Sequence, residues 1–289
     1  MTEHAVELPQ SIESGGRPPR RWLPSPRHLL LIPLSLVMVA PLAWMVMTSI
    51  QTPQEALHFP PVLPSGIHWQ NYTNAFHSAP FGRFFLNSAI VTGACVLGNL
   101  VLCSLAGYAF ARLHFFGRDV LFVVVLATLM VPFQVVMIPT FLIVKDLGLI
   151  DSLGALILPN LVTPFGIFLM RQFFRTLPVE LEEAARIDGC SRLGTLVRVV
   201  LPLSGPALAT LAVITFLYSW NDFLWPLIAI QSENHMTLQL GLSSFQGAHA
   251  TSWTLLMAGN VMAVLPMLLV FLVAQRQFVN SIAAAGVKG

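Results

Sequence analysis

Charge is scarce in this chain. Lys, Arg, Asp and Glu make up 10% of its 289 residues, against about 25% in soluble domains. With 55% hydrophobic residues, there are too few ionic groups to cover a globular surface, and the chain is predicted to lie in a membrane. The formal net charge of +2 supplies no strong field for nucleic acid. Three cysteines cannot build a disulfide framework. Cys95 and Cys103 fall on one predicted helix about 12 Å apart along its axis, beyond bridging reach. A phosphate-cradling GxxxxGK[ST] loop is missing, as are HExxH and GxSxG. The eight histidines, at 4, 28, 58, 68, 77, 114, 235 and 249, fall outside the predicted span interiors and in no metal-ligand spacing. Nothing here supports an enzyme or a bound cofactor.

What is present is a series of long charge-free runs. A helix needs about 20 apolar residues to cross a bilayer. Runs that meet this are Leu29–Ile50, Phe84–Ala111, Val120–Val144, Ser152–Met170 and Val199–Asn221. The last gap holds His235, Thr237, Gln239, Ser243, Ser244, Gln246 and His249 in its first half. That half reads as a loop and Thr254–Ala274 as a sixth span, although hydropathy alone leaves room for a seventh. Residues 1–27, rich in Pro, Ser and Gly, read as a flexible cytosolic tail, residues 28–278 as the transmembrane domain, and 279–289 as a second tail. With the N-terminus inside, all but Arg83 and Lys145 of the 15 Lys and Arg lie on the inner side, so both termini are predicted to be cytoplasmic. Prolines 33, 41, 132, 139, 159, 164, 206 and 266 interrupt the spans and mark bends whose freed carbonyls neighbours must satisfy. Ala94 with Gly98, and Ala106-Gly107, permit close helix contact, within this bundle or with a second subunit. Asn71-Tyr72-Thr73 matches a glycosylation acceptor, a pattern too short to carry weight.

The most densely charged stretch runs from 176 to 202, TLPVELEEAARIDGCSRLGTLVRVVLP. Glu180, Glu182 and Glu183 follow Pro178 in a first helical turn, where carboxylates favour the positive end of the dipole. Ala184 and Ala185 are small enough for another surface to come close. Asp188-Gly189 ends that helix, because glycine reaches left-handed backbone angles. Ser191 can cap a second helix. Its Leu193, Leu196, Val197, Val200 and Leu201 form one apolar stripe, with Arg192, Thr195 and Arg198 opposite. Two short amphipathic helices at a sharp angle, lying at a membrane surface, are expected.

Glu183-Ala184-Ala185, then Asp188-Gly189, then Leu201-Pro202 resemble the EAA loop of ABC importer permeases. Over nearly the whole chain the sequence is similar to the carbohydrate-uptake, maltose-type members of that family. It departs from the usual pattern at Cys190, where alanine is common, and at Leu196, where phenylalanine is common. The resemblance implies an all-α, six-helix transmembrane domain of a type I ABC importer whose EAA coupling helix docks into a cytosolic ATPase. It implies four kinds of partner: a second homologous permease subunit, two ATPase subunits holding ATP and Mg, an extracytoplasmic solute-binding protein, and membrane lipid. On the outer side it makes the loops 51–83 and 231–253 contact surfaces for the binding protein, and it sends the short C-terminal tail with Lys288 between the ATPases.

Candidates for the solute path are fewer. Asp222, in YSWNDFLWP, is the one acid near a span. A carboxylate at membrane depth is costly and usually faces a bundle interior. Trp220, Asn221 and Asp222 together offer a ring face and hydrogen-bonding groups suited to sugar hydroxyls, and sugar permeases share a Trp-Asn-Asp/Glu run here. An interfacial structural role for Asp222 stays open. Asn87, Asn99, Phe133 and Gln134 are further candidates. The spans hold no Lys or Arg, which favours a neutral solute over an anion. Glycerophosphodiester importers share the fold and remain an alternative. An ion-gradient-driven transporter would want paired acids at mid-membrane, and only Asp222 is there.

Overall fold

The computed structural model describes residues 26–246 and 251–286. The predicted tail 1–27 and Lys288 fall largely or wholly outside them, as do residues 247–250 of the second outer loop. Among the described residues the regular secondary structure is all helical, without a β-strand. The chain divides into two units, residues 1–43 and 44–289. In the first lies most of α1, Pro26–Ser49, an apolar helix with internal Pro33 and Pro41.

In the second unit, short α2 (Pro53–Ala56) and α3 (Gln70–His77) precede the long α4, Phe81–Arg112. Next come α5 (Arg118–Thr128) and α6 (Phe133–Asp146). Leu153–Ile157 forms α7 and Pro164–Thr176 forms α8. The charged stretch folds as α9 (Glu180–Ile187), α10 (Arg192–Thr195), a π turn (Leu196–Val200) and α11 (Leu201–Leu203). The chain then re-enters the bundle as α12 (Gly205–Trp220), followed by α13 (Leu224–Ala229), α14 (Leu238–Leu242) and α15 (Trp253–Gly286).

Among the described residues, four helical stretches are long and apolar enough to cross a membrane: His28–Ser49, Phe81–Arg112, Leu153–Thr176 and Trp253–Gln275. Two bent pairs bring the number to six if each is one span. The expected run Val120–Val144 breaks at 129–132, and α6 turns away from α5 by 104°. Pro132 has no N–H and disfavours helical angles at Val131, so the ladder stops there. The expected run Val199–Asn221 is corrected at its start. Its first residues belong to the charged stretch, and an 82° bend at Ser204 separates them from α12. Pro206 follows in the first turn of α12, where a missing N–H costs little. Ser152–Met170 is likewise broken, by a 3₁₀ turn at Leu158–Asn160 and a fresh start at Pro164, capped by Thr163.

α4 is the spine. Its Gly98 and Gly107 face the α7–α8 segment, where a Cβ on Gly107 would lie 2.8 Å from Met170 Cβ and 2.9 Å from Arg171 N. These two glycines therefore serve packing inside the chain. The region read as a loop after Asn234 is partly folded in. Leu238 and Leu242 of α14 are buried with Phe84 and Trp220 in one core cluster, and Gly241 lacks the Cβ that would collide with the Phe84 ring. Asn71 is buried, its amide donating to Ser49 O and Gln51 O at 2.9 and 2.8 Å. That excludes it as a glycan acceptor in the folded chain.

Candidate functional site

Two regions carry the predicted residues: the elbow formed by α9 and α10, and a cavity between α5, α8 and α12. In the elbow, Gly189 has φ +82°, a left-handed angle that costs a glycine nothing. Its N–H reaches Arg186 O at 3.0 Å, and Cys190 N reaches back to Ala185 O at 2.9 Å, closing the end of α9. Ser191 caps α10, accepting from Gly194 N at 3.1 Å. Around this joint Glu183, Ala184, Asp188 and Gly189 are exposed while Ala185 is buried. Ile187 and Leu193 project beside them, 86% and 60% exposed. The elbow thus offers an unfilled surface of small, acidic and apolar groups, suited to a protein partner.

The expected apolar stripe does not stay on one side. Thr195, Leu196 and Val200 are buried, whereas Leu193 and Val197 are exposed. The departure starts in α10, where Leu193 is exposed and Thr195 buried, and the π turn that follows, with its wider winding, shifts side chains further from the 3.6-residue period. Leu201 and Pro202 sit just before the 82° bend rather than on the exposed elbow.

One functional candidate escaped the sequence reading. Glu182 is 1% exposed, unlike its neighbours Glu180 and Glu183. Its Oε1 is ion-paired with Arg112 Nε at 2.6 Å, a charge contact without hydrogen-bond alignment, and its Oε2 accepts from the Tyr108 hydroxyl at 2.9 Å. Arg186 stands one turn along at 4.0 Å. Only the i, i+3 sharing of a face with Ala185 distinguishes Glu182 in the sequence; its partners lie some seventy residues away and could not be paired by pattern.

The cavity has a volume of about 1210 Å³. Apart from Cys95 of α4, its walls come from interrupted helices: Thr128 to Phe133 at the α5–α6 break, Asn160 to Phe165 at the entry of α8, and Ile214 to Trp225 around the end of α12. Irregular backbone is tolerated at membrane depth where it lines such a space. Tyr218 is 79% exposed in it. Asn221, Asp222 and Phe133 also line it. Asp222 has a second task, since its Oδ1 accepts from Trp225 N at 3.3 Å at the start of α13. No lysine or arginine lines the cavity.

Four candidates stand elsewhere. Trp220 is buried, its indole N–H donating to Ala263 O at 3.1 Å and its ring stacked on Phe216. It ties α12 to α15 and presents no face to the cavity. Asn87 is buried and donates to Asn234 O and Met236 O, each at 2.9 Å, so it pins the segment before α14. Both are corrections with one cause: the hydrogen-bonding groups are consumed by helix packing, which hydropathy cannot see. Gln134 is exposed and is not part of the cavity wall. Asn99 is fully buried behind the wall, donating to Asn160 O and accepting from Thr163 Oγ1 at 2.8 and 2.7 Å. Among the described residues no cluster of His, Cys, Asp or Glu could hold a metal ion.

A bundle of interrupted apolar helices, an open cavity and an exposed elbow outside it define a multi-pass membrane permease. The chain belongs to the binding-protein-dependent transport system inner membrane component family, whose model matches residues 100–283. It is 36% identical over 260 residues to the arabinooligosaccharides transport system permease protein AraQ of Halalkalibacterium halodurans, covering 89% of this chain and 93% of that one. It is 38% identical over 272 residues to the sn-glycerol-3-phosphate transport system permease protein UgpE of Pectobacterium atrosepticum, covering 91% and 97%. Its fold is similar to a chain of a bacterial ABC transporter involved in import of the acidic polysaccharide alginate, with TM-score 0.77, 28% identity, and 86% and 94% of the two chains covered.

Proposed function

We propose that this chain is one of two permease subunits of an ATP-driven importer and that its solute is a neutral saccharide or a related small polyol. The observation that carries the choice of solute is the cavity lining. Tyr218, Phe133 and Phe165 offer ring faces, Asn160, Asn221 and Asp222 offer hydrogen-bonding groups, and no cation is present. Flat rings and short polar groups suit sugar hydroxyls, while a phosphate would want Arg or Lys. The name of the arabino-oligosaccharide relative points the same way. An anionic solute is the second reading, favoured by the glycerol-3-phosphate relative and the alginate transporter. It requires the cation to come from the second permease subunit.

In this reading the elbow faces the cytosol with both chain termini, and Glu183, Ala184, Ala185, Asp188 and Gly189 meet an ATPase, the acid as a polar contact and the glycine as the turn. Leu201 and Pro202 end the coupling segment. ATP and Mg bind in two such ATPase subunits. Closure of the ATPase pair carries the two elbows together and switches the bundle from inward- to outward-facing, where a binding protein releases solute. Hydrolysis resets it.

The test is to purify the complex with its binding protein and titrate that protein with arabinotriose and with sn-glycerol 3-phosphate by calorimetry. Binding of the neutral sugar supports the first reading. Binding of the phosphate alone selects the second, and absence of a co-purifying ATPase overturns both.

A further inference from the structure

We propose that Glu182 is the point at which motion of the elbow enters the bundle, with Arg112 and Tyr108 as the groups that receive it. The inference rests on the reading that an ATPase drives α9. Two routes lead from α9 to the cavity. The covalent one leaves α9 at both ends: back through the short link 177–179 to the exit of α8, and forward through two soft joints, left-handed Gly189 and the 82° bend at Ser204, with a π turn between them. A hinge absorbs displacement in its own dihedrals.

The second route has no hinge. Glu182 is 1% exposed and joins α9 to Arg112, the last residue of α4, at 2.6 Å. The Tyr108 hydroxyl, one turn earlier on α4, donates to the same carboxylate at 2.9 Å. Arg112 also donates from Nη2 to Leu177 O at 2.6 Å, so a single guanidinium grips both the elbow and the exit of α8. α4 and α8 are themselves in backbone contact at Gly107, and Arg171 Nε donates to Phe110 O at 3.3 Å. The entry of α8 walls the cavity. A push on α9 therefore reaches the cavity through a staple and a close-packed helix pair. Breaking a buried pair strands a charge, so the staple resists parting where a surface pair would yield. Glu183, the next residue, is exposed: adjacent carboxylates divide docking from transmission, and Glu182, Arg112 and Tyr108 are positioning residues.

The test uses the full complex in nanodiscs, with Cys95, Cys103 and Cys190 replaced by alanine and a reporter cysteine at the exposed cavity position (Tyr218→Cys) labelled by a charged maleimide. In the otherwise unaltered complex, ATP with orthovanadate changes the labelling rate. Glu182→Gln is expected to retain the ATPase and its basal hydrolysis while the nucleotide-dependent change in labelling shrinks about tenfold, the size of an ordinary coupling between linked sites. Tyr108→Phe, which removes one hydroxyl, is expected to shrink it less and carries the test if Glu182→Gln does not accumulate. An undiminished response in these variants overturns the inference. So does loss of the ATPase from Glu182→Gln, which would make Glu182 a docking residue. Lack of any nucleotide response in the reporter complex itself would count against the importer reading instead.

Discussion

Glu182 and Asp151 are both carboxylates that tie distant segments together, and they do it by different physics. Glu182 is sealed from water and meets a guanidinium and a phenol. Asp151 lies in the loop before α7 and is partly open. Its Oδ1 accepts from Ser232 N at 2.8 Å, Gln231 N at 3.0 Å and the Ser232 hydroxyl at 2.9 Å, with His235 Nδ1 at 3.6 Å. The backbone N–H groups of Ser232 and then Gln231 hold the Asp151 carboxyl down at about 2. Water can replace much of what is lost at Asp151, whereas at Glu182 nothing can. A staple meant to bear load belongs at the second kind of site, and one that only shapes a loop can sit at the first.

The contrast can be broken at several points. The largest effect is expected from Gly189→Pro. Proline holds φ near −65°, far from the observed +82°, so the elbow loses its turn while the staple stays. Uptake should be abolished with insertion into the membrane intact, measured as transport per inserted protein; normal uptake would show that the hinge does not matter. Next is Glu182→Ala, which leaves Arg112 without its carboxylate partner. Thermal unfolding in detergent should register a loss of about 3 kcal/mol, and a change within error would mean that the pair is not a staple. Gly107→Ala sharpens the α4–α8 side of the comparison. The new methyl meets Arg171 N at 2.9 Å, which cannot move without its helix, and about 1–3 kcal/mol should be lost.

The smallest effect is local and depends on pH. The Asp151 pKa is depressed in the folded chain, so its contribution is fully present above the unfolded value near 4. It falls away as pH drops through the folded value of about 2. Hydrogen exchange of the amides at 231 and 232 should accelerate between pH 4 and 2 relative to the intrinsic rate, and Asp151→Asn should remove that step. A step that persists in the variant would assign it to another group.

Some of this was legible without coordinates, and particular residues show why. Gly189 and Ser191 read correctly because turns and caps are local: the left-handed angle and the Gly194 N–H bond depend on residues within three positions. Leu193 and Thr195 read incorrectly because which side of a short helix is buried is decided by what packs on it. Trp220 and Asn87 looked available for solute, and only the third dimension showed their polar atoms already engaged. Phe133, Asn221 and Asp222 do line one cavity, which no spacing rule connects.

By itself the sequence determined that this chain is a helical membrane bundle with a bent, charged elbow, since hydropathy, proline and glycine act over a few residues. Tertiary structure alone decided which carboxylate is gripped, which polar groups face the cavity, and where the broken helices meet. Those outcomes depend on pairs far apart along the chain, brought within a few ångströms only when apolar faces close and exclude water.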